Sequence, residues 1–147
     1  MQWDEYFDRM LDAVAAKSKD SSAKIGCIIV GPDHEIRSTG FNGFPRGVKE
    51  NKVRNARPNK YAWTEHAERN AIYNAARNGI HLLGCTAYIR WFPCVDCARA
   101  IVQSGIARLV CGRADSLTSN TDWNFEMAAE ILVEGGVIVD QLLPFVE

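Results

Sequence analysis

The feature that most constrains the fold is a change of rhythm along the chain. Two β-rich runs come one after the other, and every later run is separated from the next by a helical stretch. Lys24–Val30 (KIGCIIV) is rich in β-branched residues and ends at the turn signal Gly31-Pro32-Asp33; with Glu35–Phe41 behind it, the pair predicts a hairpin. Thr86–Arg90, Ala107–Cys111 and Val137–Asp140 read as later strands. Helices are expected from Thr64 to a stop at Gly79, from Pro93 to Ser104, and from Asp122 to Glu134 ahead of Gly135-Gly136. An opening helix carries Trp3, Tyr6, Phe7, Met10, Leu11, Val14 and Ala15 at amphipathic spacing. Strands joined through helices require crossovers, so the order predicts the α/β class: one three-layer α/β/α domain over residues 1–147. Its sheet is expected to be mixed and five-stranded, with an antiparallel hairpin first.

Composition narrows the function classes. At 47% hydrophobic and 24% charged residues the chain is an ordinary globular one, which excludes a disordered segment. No apolar run approaches the roughly 18 residues of a membrane span. The start, MQWDEYFDRM, is acidic and amphipathic, unlike a secretory leader, so a cytoplasmic protein is expected. A net charge of −1 argues against a broad grip on duplex nucleic acid but not against a small anionic ligand. Five cysteines, an odd number, point to metal binding or burial rather than to a disulfide framework.

Asn42 to Trp63 has no clean period and is rich in Gly, Pro and Asn; it reads as a long loop, and such loops are usually functional. Immediately after it comes His66 in HAERN, and further on come Cys94 and Cys97 in PCVDC. The two cysteines are three apart at a helix start, so their sulfurs share a face. The positive end of the helix dipole there favours thiolate. One imidazole and two thiolates suit zinc and leave one coordination position open, as a catalytic site requires. Glu68 would stand beside the metal-bound water without ligating. Two residues apart on a helix, His66 and Glu68 should point about 200° away from each other, so the fold must supply some special entry geometry.

His66-Ala67-Glu68 with Pro93-Cys94-Val95-Asp96-Cys97 fits the H-x-E…P-C-x-x-C signature of zinc deaminases. Within that superfamily the chain resembles the deoxycytidylate (dCMP) deaminase family. Gly40–Gly47 (GFNGFPRG) is similar to its GYNGxPxG loop, Phe92-Pro93-Cys94 to its FPC, and Ser18-Lys19-Asp20 to its SKD segment. The resemblance implies a cytidine deaminase-like fold, one Zn2+ per chain on His66, Cys94 and Cys97, and Glu68 as the catalytic proton carrier. It implies deamination of dCMP to dUMP and ammonia, supplying thymidylate synthesis, with dCTP and dTTP as effectors and assembly into dimers or hexamers. Some family members bind a second zinc through Cys or His upstream of H-x-E; residues 42–65 contain neither, so a single zinc is expected.

The resemblance further implies that Asn42 contacts the sugar and that the loop around Arg46 lies near the nucleotide. Lys24, Arg46, Arg54, Arg57, Arg90 and Arg113 are all candidate phosphate cations, and Trp91 and Trp123 could stack on a base or line an interface. Cys27, Cys85 and Cys111 are expected to be buried apolar residues and His34 and His81 to lie at the surface. Competing substrates are free cytosine, cytidine, guanine and tRNA adenosine. The long 42–65 segment and the near-neutral charge favour a nucleotide. A non-catalytic zinc or nucleotide-binding module is the alternative of a different class; four protein ligands would be its mark.

Overall fold

A computed structural model describes residues 1–112 and 124–142. Its elements are α1 (Trp3–Ala15), β1 (Gly26–Val30), β2 (Ile36–Phe41), α2 (Lys52–Asn55), α3 (Lys60–Trp63), α4 (Ala67–Arg77), β3 (Thr86–Ile89), α5 (Val95–Gln103), β4 (Arg108–Cys111), α6 (Phe125–Glu134) and β5 (Ile138–Gln141). The five strands form one sheet in the order β2-β1-β3-β4-β5. β1 pairs antiparallel with both β2 and β3, and β3, β4 and β5 run parallel. The mixed sheet and its opening hairpin are as the strand spacing predicts.

Alternation of side chains along the strands divides the core between the two faces of the sheet. Ile28, Val30, Tyr88 and Val110 point to one face and pack against Phe7 and Leu11 of α1. Cys27, Ile29, Ala87, Ile89, Leu109 and Cys111 point to the other, where they meet α4, α5 and α6 through Ala67, Ala71, Ala75, Ala98, Ile101, Ala128 and Leu132. Among the described residues the three layers therefore hold α1 on one side and α4, α5 and α6 on the other. The buried apolar residues of α4 are all alanine, which lets its backbone come close to β2. Gly40 completes that approach, since a Cβ there would collide with the backbone of Ala67 and Ala71.

Three expectations need correction. The segment after Asn42 is not a plain loop: α2 and α3 are single turns within it, the first capped by Asn51, whose Oδ1 accepts from Arg54 N at 2.9 Å. The helix expected from Thr64 starts at Ala67, because Glu65 is held extended by a bridge to Gly43, with N···O distances of 2.8 and 3.0 Å. Pro93 lies before α5 rather than in its first turn, and Cys94 is the cap. The expected helix start at Asp122 falls outside the described residues.

Candidate metal centre and its cavity

His66 and Cys94 hold the same local position on two different helices. Each is the N-cap residue, with extended backbone angles (φ −78°, ψ 154° and φ −71°, ψ 172°), so neither side chain follows the helical screw. That departure resolves the 200° problem: His66 turns into the site from outside α4, while Glu68 reaches it from the helix. Cys97, in the first turn of α5, faces the same point. The Sγ atoms of Cys94 and Cys97 each lie 3.5 Å from His66 Nδ1, and the three ligand atoms all fall within 4.8 Å of one another.

A tetrahedral zinc with Zn–S of about 2.3 Å and Zn–N of about 2.0–2.1 Å would set each S···N edge at about 3.6 Å. The observed separations fit that ion. Among the described residues these three are the only such cluster, and they supply three of the four positions of a tetrahedral ion. Cys27, Cys85 and Cys111 are buried within the core and outside the cluster; His34 and His81 are exposed.

The electrostatics suit the same ion. The hydrogen bond between the sulfurs, aided by His66, pulls the Cys94 thiol down to about 4. The same bond, together with burial, pushes the Cys97 thiol up. Without a metal the two sulfurs share one proton, which a divalent cation would displace. His66 is raised: burial opposes its charge, but hydrogen bonding to Cys94 and the nearby Glu68 outweigh it. Arg69 brings a fixed cation to these thiolates. It pairs with Glu65 and reaches Asp96 Oδ2 at 3.4 Å, tying the start of α4 to α5. Glu68 is 5% exposed and its carboxyl is pushed up by desolvation. It forms no ion pair among the described residues, which leaves the carboxylate available to exchange a proton with whatever enters.

His66, Glu68 and Cys94 line a cavity of about 530 Å³, within the range of small-molecule sites. Ile89, Trp91, Phe92 and Phe125 form an apolar wall, with Phe92 set edge-on to Phe125 at 5.9 Å. Asp20, Ser22, Asn42, Arg57, Lys60, Tyr61 and Thr64 form a polar one. Trp91, a candidate for base stacking or an interface, is one of the residues lining this cavity. Asn42 also lines the cavity, but both ends of its amide are engaged: Oδ1 accepts from Ile25 N and Nδ2 donates to Ala23 O, each at 2.9 Å. Arg46 bonds to Asn74 and lines a second cavity of about 390 Å³ beside the Gly40–Gly47 loop. Lys24 is exposed and lines neither cavity. Trp123 and Arg113 fall outside the described residues.

Lys60, Tyr61 and Phe125 were not legible as site residues. Lys60 grips Asp20 at 2.8 and 3.0 Å, closing the 52–63 segment onto the residues just after α1. The Asp20-Ser21-Ser22 run was the one available signal, since Asp20 Oδ1 also accepts from the backbone of Ser22 and Ala23.

Two cysteines and a histidine gathered at paired helix N-termini, beside a cavity and a buried glutamate on a mixed five-stranded sheet, are the arrangement of a deaminase. The model of the cytidine and deoxycytidylate deaminase zinc-binding region matches residues 1–113. The chain belongs to the cytidine and deoxycytidylate deaminase family. It is 34% identical over 142 residues to an uncharacterized deaminase of Aliivibrio fischeri, covering 96% of this chain and 94% of that one. It is also 34% identical over 116 residues to human deoxycytidylate deaminase; that alignment covers 75% of this chain but only 64% of the human one. The fold matches the crystal structure of the dCMP deaminase from cyanophage S-TIM5 in complex with dCMP and dUMP, with a TM-score of 0.75, 22% identity, and 94% and 95% of the two chains covered.

Proposed function

We propose that this chain deaminates dCMP to dUMP and ammonia in the cytoplasm, supplying dUMP for thymidylate synthesis. The observation that carries the reading is the His66, Cys94 and Cys97 cluster with the buried Glu68 beside it on one nucleotide-sized cavity. His66, Cys94 and Cys97 would hold one zinc ion, which supplies a water acidic enough to ionise near neutral pH. With that ion in place, Glu68 would accept the proton of the attacking water, whose oxygen would add to C4 of the cytosine ring. It returns the proton to N3, and a second transfer through the same carboxylate lets the amine leave as ammonia. The apolar wall of Phe92 and Phe125 excludes bulk water, and the raised carboxyl of Glu68 keeps it able both to accept and to donate.

Effector control by dCTP and dTTP belongs to the same reading, and the second cavity, with Lys17, Lys19 and Arg46 around it, is compatible with an anionic ligand. Homo-oligomer assembly into dimers or hexamers belongs to it as well.

The test is an ammonia-release assay of the zinc-loaded protein on dCMP, dCTP, deoxycytidine, cytosine and a tRNA anticodon stem. Turnover is expected on dCMP foremost, to vanish with a chelator and to return with zinc. Glu68→Gln should retain zinc and lose at least about 100-fold in kcat. Near-wild-type turnover by metal-loaded E68Q would remove Glu68 from the mechanism.

A further inference from the structure

Among the described residues, the cavity wall opposite in character to the aromatic one holds two side-chain cations, of which only one is free. Lys60 spends its ammonium on Asp20 Oδ1 and Oδ2 and on Ser22 Oγ at 3.3 Å, with 12% of its side chain exposed. Arg57 lines the same cavity, is exposed, and makes no hydrogen bond or ion pair among the described residues. Of the other candidate cations, Lys24 lines neither cavity, Arg113 lies outside the described residues, and the remaining three are committed elsewhere. Arg54 donates to Lys49 O at 2.7 Å and lies over the Trp63 ring at 4.0 Å. Arg90 is gripped by Asp8 and Asp12, and Arg46 by Asn74.

We infer that Arg57 is the residue by which this site selects a nucleoside monophosphate over the free nucleoside, its guanidinium taking two oxygens of the 5′-phosphate. This deepens the nucleotide reading of the cavity and rests on it. A planar guanidinium matches two phosphate oxygens in one plane, and charge-assisted pairs of this kind are the stronger hydrogen bonds. The neutralised Lys60–Asp20 pair next to it adds no net charge. Its part is positional: it anchors α3, and with α3 the chain leading from Arg57, to the segment after α1. A free cation on a cavity wall costs the apoprotein nothing while it is hydrated, and it meets a counter-charge only when a phosphate enters.

The test compares wild type, Arg57→Ala and Arg57→Lys, all zinc-loaded and full length, on dCMP and on deoxycytidine, and adds a calorimetric titration with dUMP. R57A is expected to raise the KM for dCMP about 10–100-fold with kcat changed less than about threefold. Its kcat/KM on deoxycytidine should stay at the wild-type value. R57K, a point charge without the fork, should recover part of the loss. An unchanged KM for dCMP, or an equal loss on dCMP and deoxycytidine, would overturn the assignment while leaving dCMP deamination standing. If wild type turns over no cytosine nucleotide yet binds dUMP, and R57A weakens that binding at least about tenfold, the assignment holds and the reaction falls. If wild type does not bind dUMP at all, both are overturned.

Discussion

Arg69 shows how a residue that touches no ligand can still govern the site. Its guanidinium is bonded to Glu65 and Asp96 and sits close enough to the thiolates to favour their charged form. Glu65 in turn accepts from the backbone N–H of His66 at 3.0 Å, so the same contact fixes the entry angle of the imidazole. Arg69→Gln removes both the charge and the fork, and outer residues of metal centres typically carry 10–100-fold in affinity. We expect R69Q to lower zinc affinity by about that factor in a chelator-competition titration, with the far-ultraviolet circular dichroism unchanged. Wild-type zinc affinity in R69Q would mean that the sulfurs hold their charge without help. At this scale the ligand set was readable from the sequence, because H-x-E and P-C-x-x-C fix donor type and spacing within short segments. The cations were not, because whether an arginine is free depends on partners far along the chain: Arg90 on Asp8 and Asp12, Arg46 on Asn74.

Among the elements, α4 matters most, since its start presents His66 and Glu68 and its flank rests on β2. Three side chains tie the two together: Ser38 Oγ donates to Ala71 O at 2.6 Å, Asn70 Nδ2 to Phe41 O at 2.8 Å, and Asn74 Nδ2 to Thr39 O at 2.6 Å. Gly40 is the point of closest approach. Gly40→Ala has to push α4 outward, and overpacking of this kind costs about 1–3 kcal/mol. We expect G40A to lower the midpoint of urea unfolding by a corresponding amount and to bind zinc more weakly, because the His66 end of α4 moves relative to α5. Unaltered stability and zinc affinity would show that α4 can shift without dragging the site. Element type was legible from periodicity for every strand and for the helices with a clear apolar stripe. What stayed hidden were the ends, and for a physical reason. Helix starts at Ala67 and Val95 are set by residues held extended outside the helix, by the Gly43–Glu65 bridge in one case and by the cap at Cys94 in the other. The short α2 and α3 have too few residues to display a period at all.

At the scale of the whole molecule, α1 is the one helix among the described residues on its side of the sheet, and it is fastened by charge as well as by Phe7 and Leu11. Three of its four acidic residues recur every fourth position, Asp4, Asp8 and Asp12, on the face turned toward Arg108 of β4 and Arg90 just after β3. Arg108 binds Asp4 at 2.8 and 3.0 Å and Asp140 at 2.6 Å, and Tyr88 Oη donates to Asp4 at 2.8 Å. Arg90 grips Asp8 at 2.8 Å and also Asp12. Hydrogen bonding to Arg108 holds Asp4 below the ordinary 3.8, and hydrogen bonding to Arg90 does the same for Asp12. Asp20 is also lowered: burial alone would raise it, but Lys60 and two backbone N–H groups prevail. In each case the folded state binds fewer protons than the unfolded chain near and below that value. The stabilisation is therefore fully present above about pH 4 and is lost as pH falls through the lowered values. The share of the urea midpoint that these carboxylates supply is expected to hold steady from about pH 7 to 5 and to fall steeply below about pH 4. Asp4→Asn combined with Asp12→Asn should lower the neutral midpoint and flatten the acid limb, since neither amide gains a proton. The pairs are partly exposed, so raising salt should reproduce part of the neutral loss in wild type and little in the double variant. A double variant whose midpoint follows wild type at every pH would mean that the apolar contacts of Phe7 and Leu11 hold α1 by themselves.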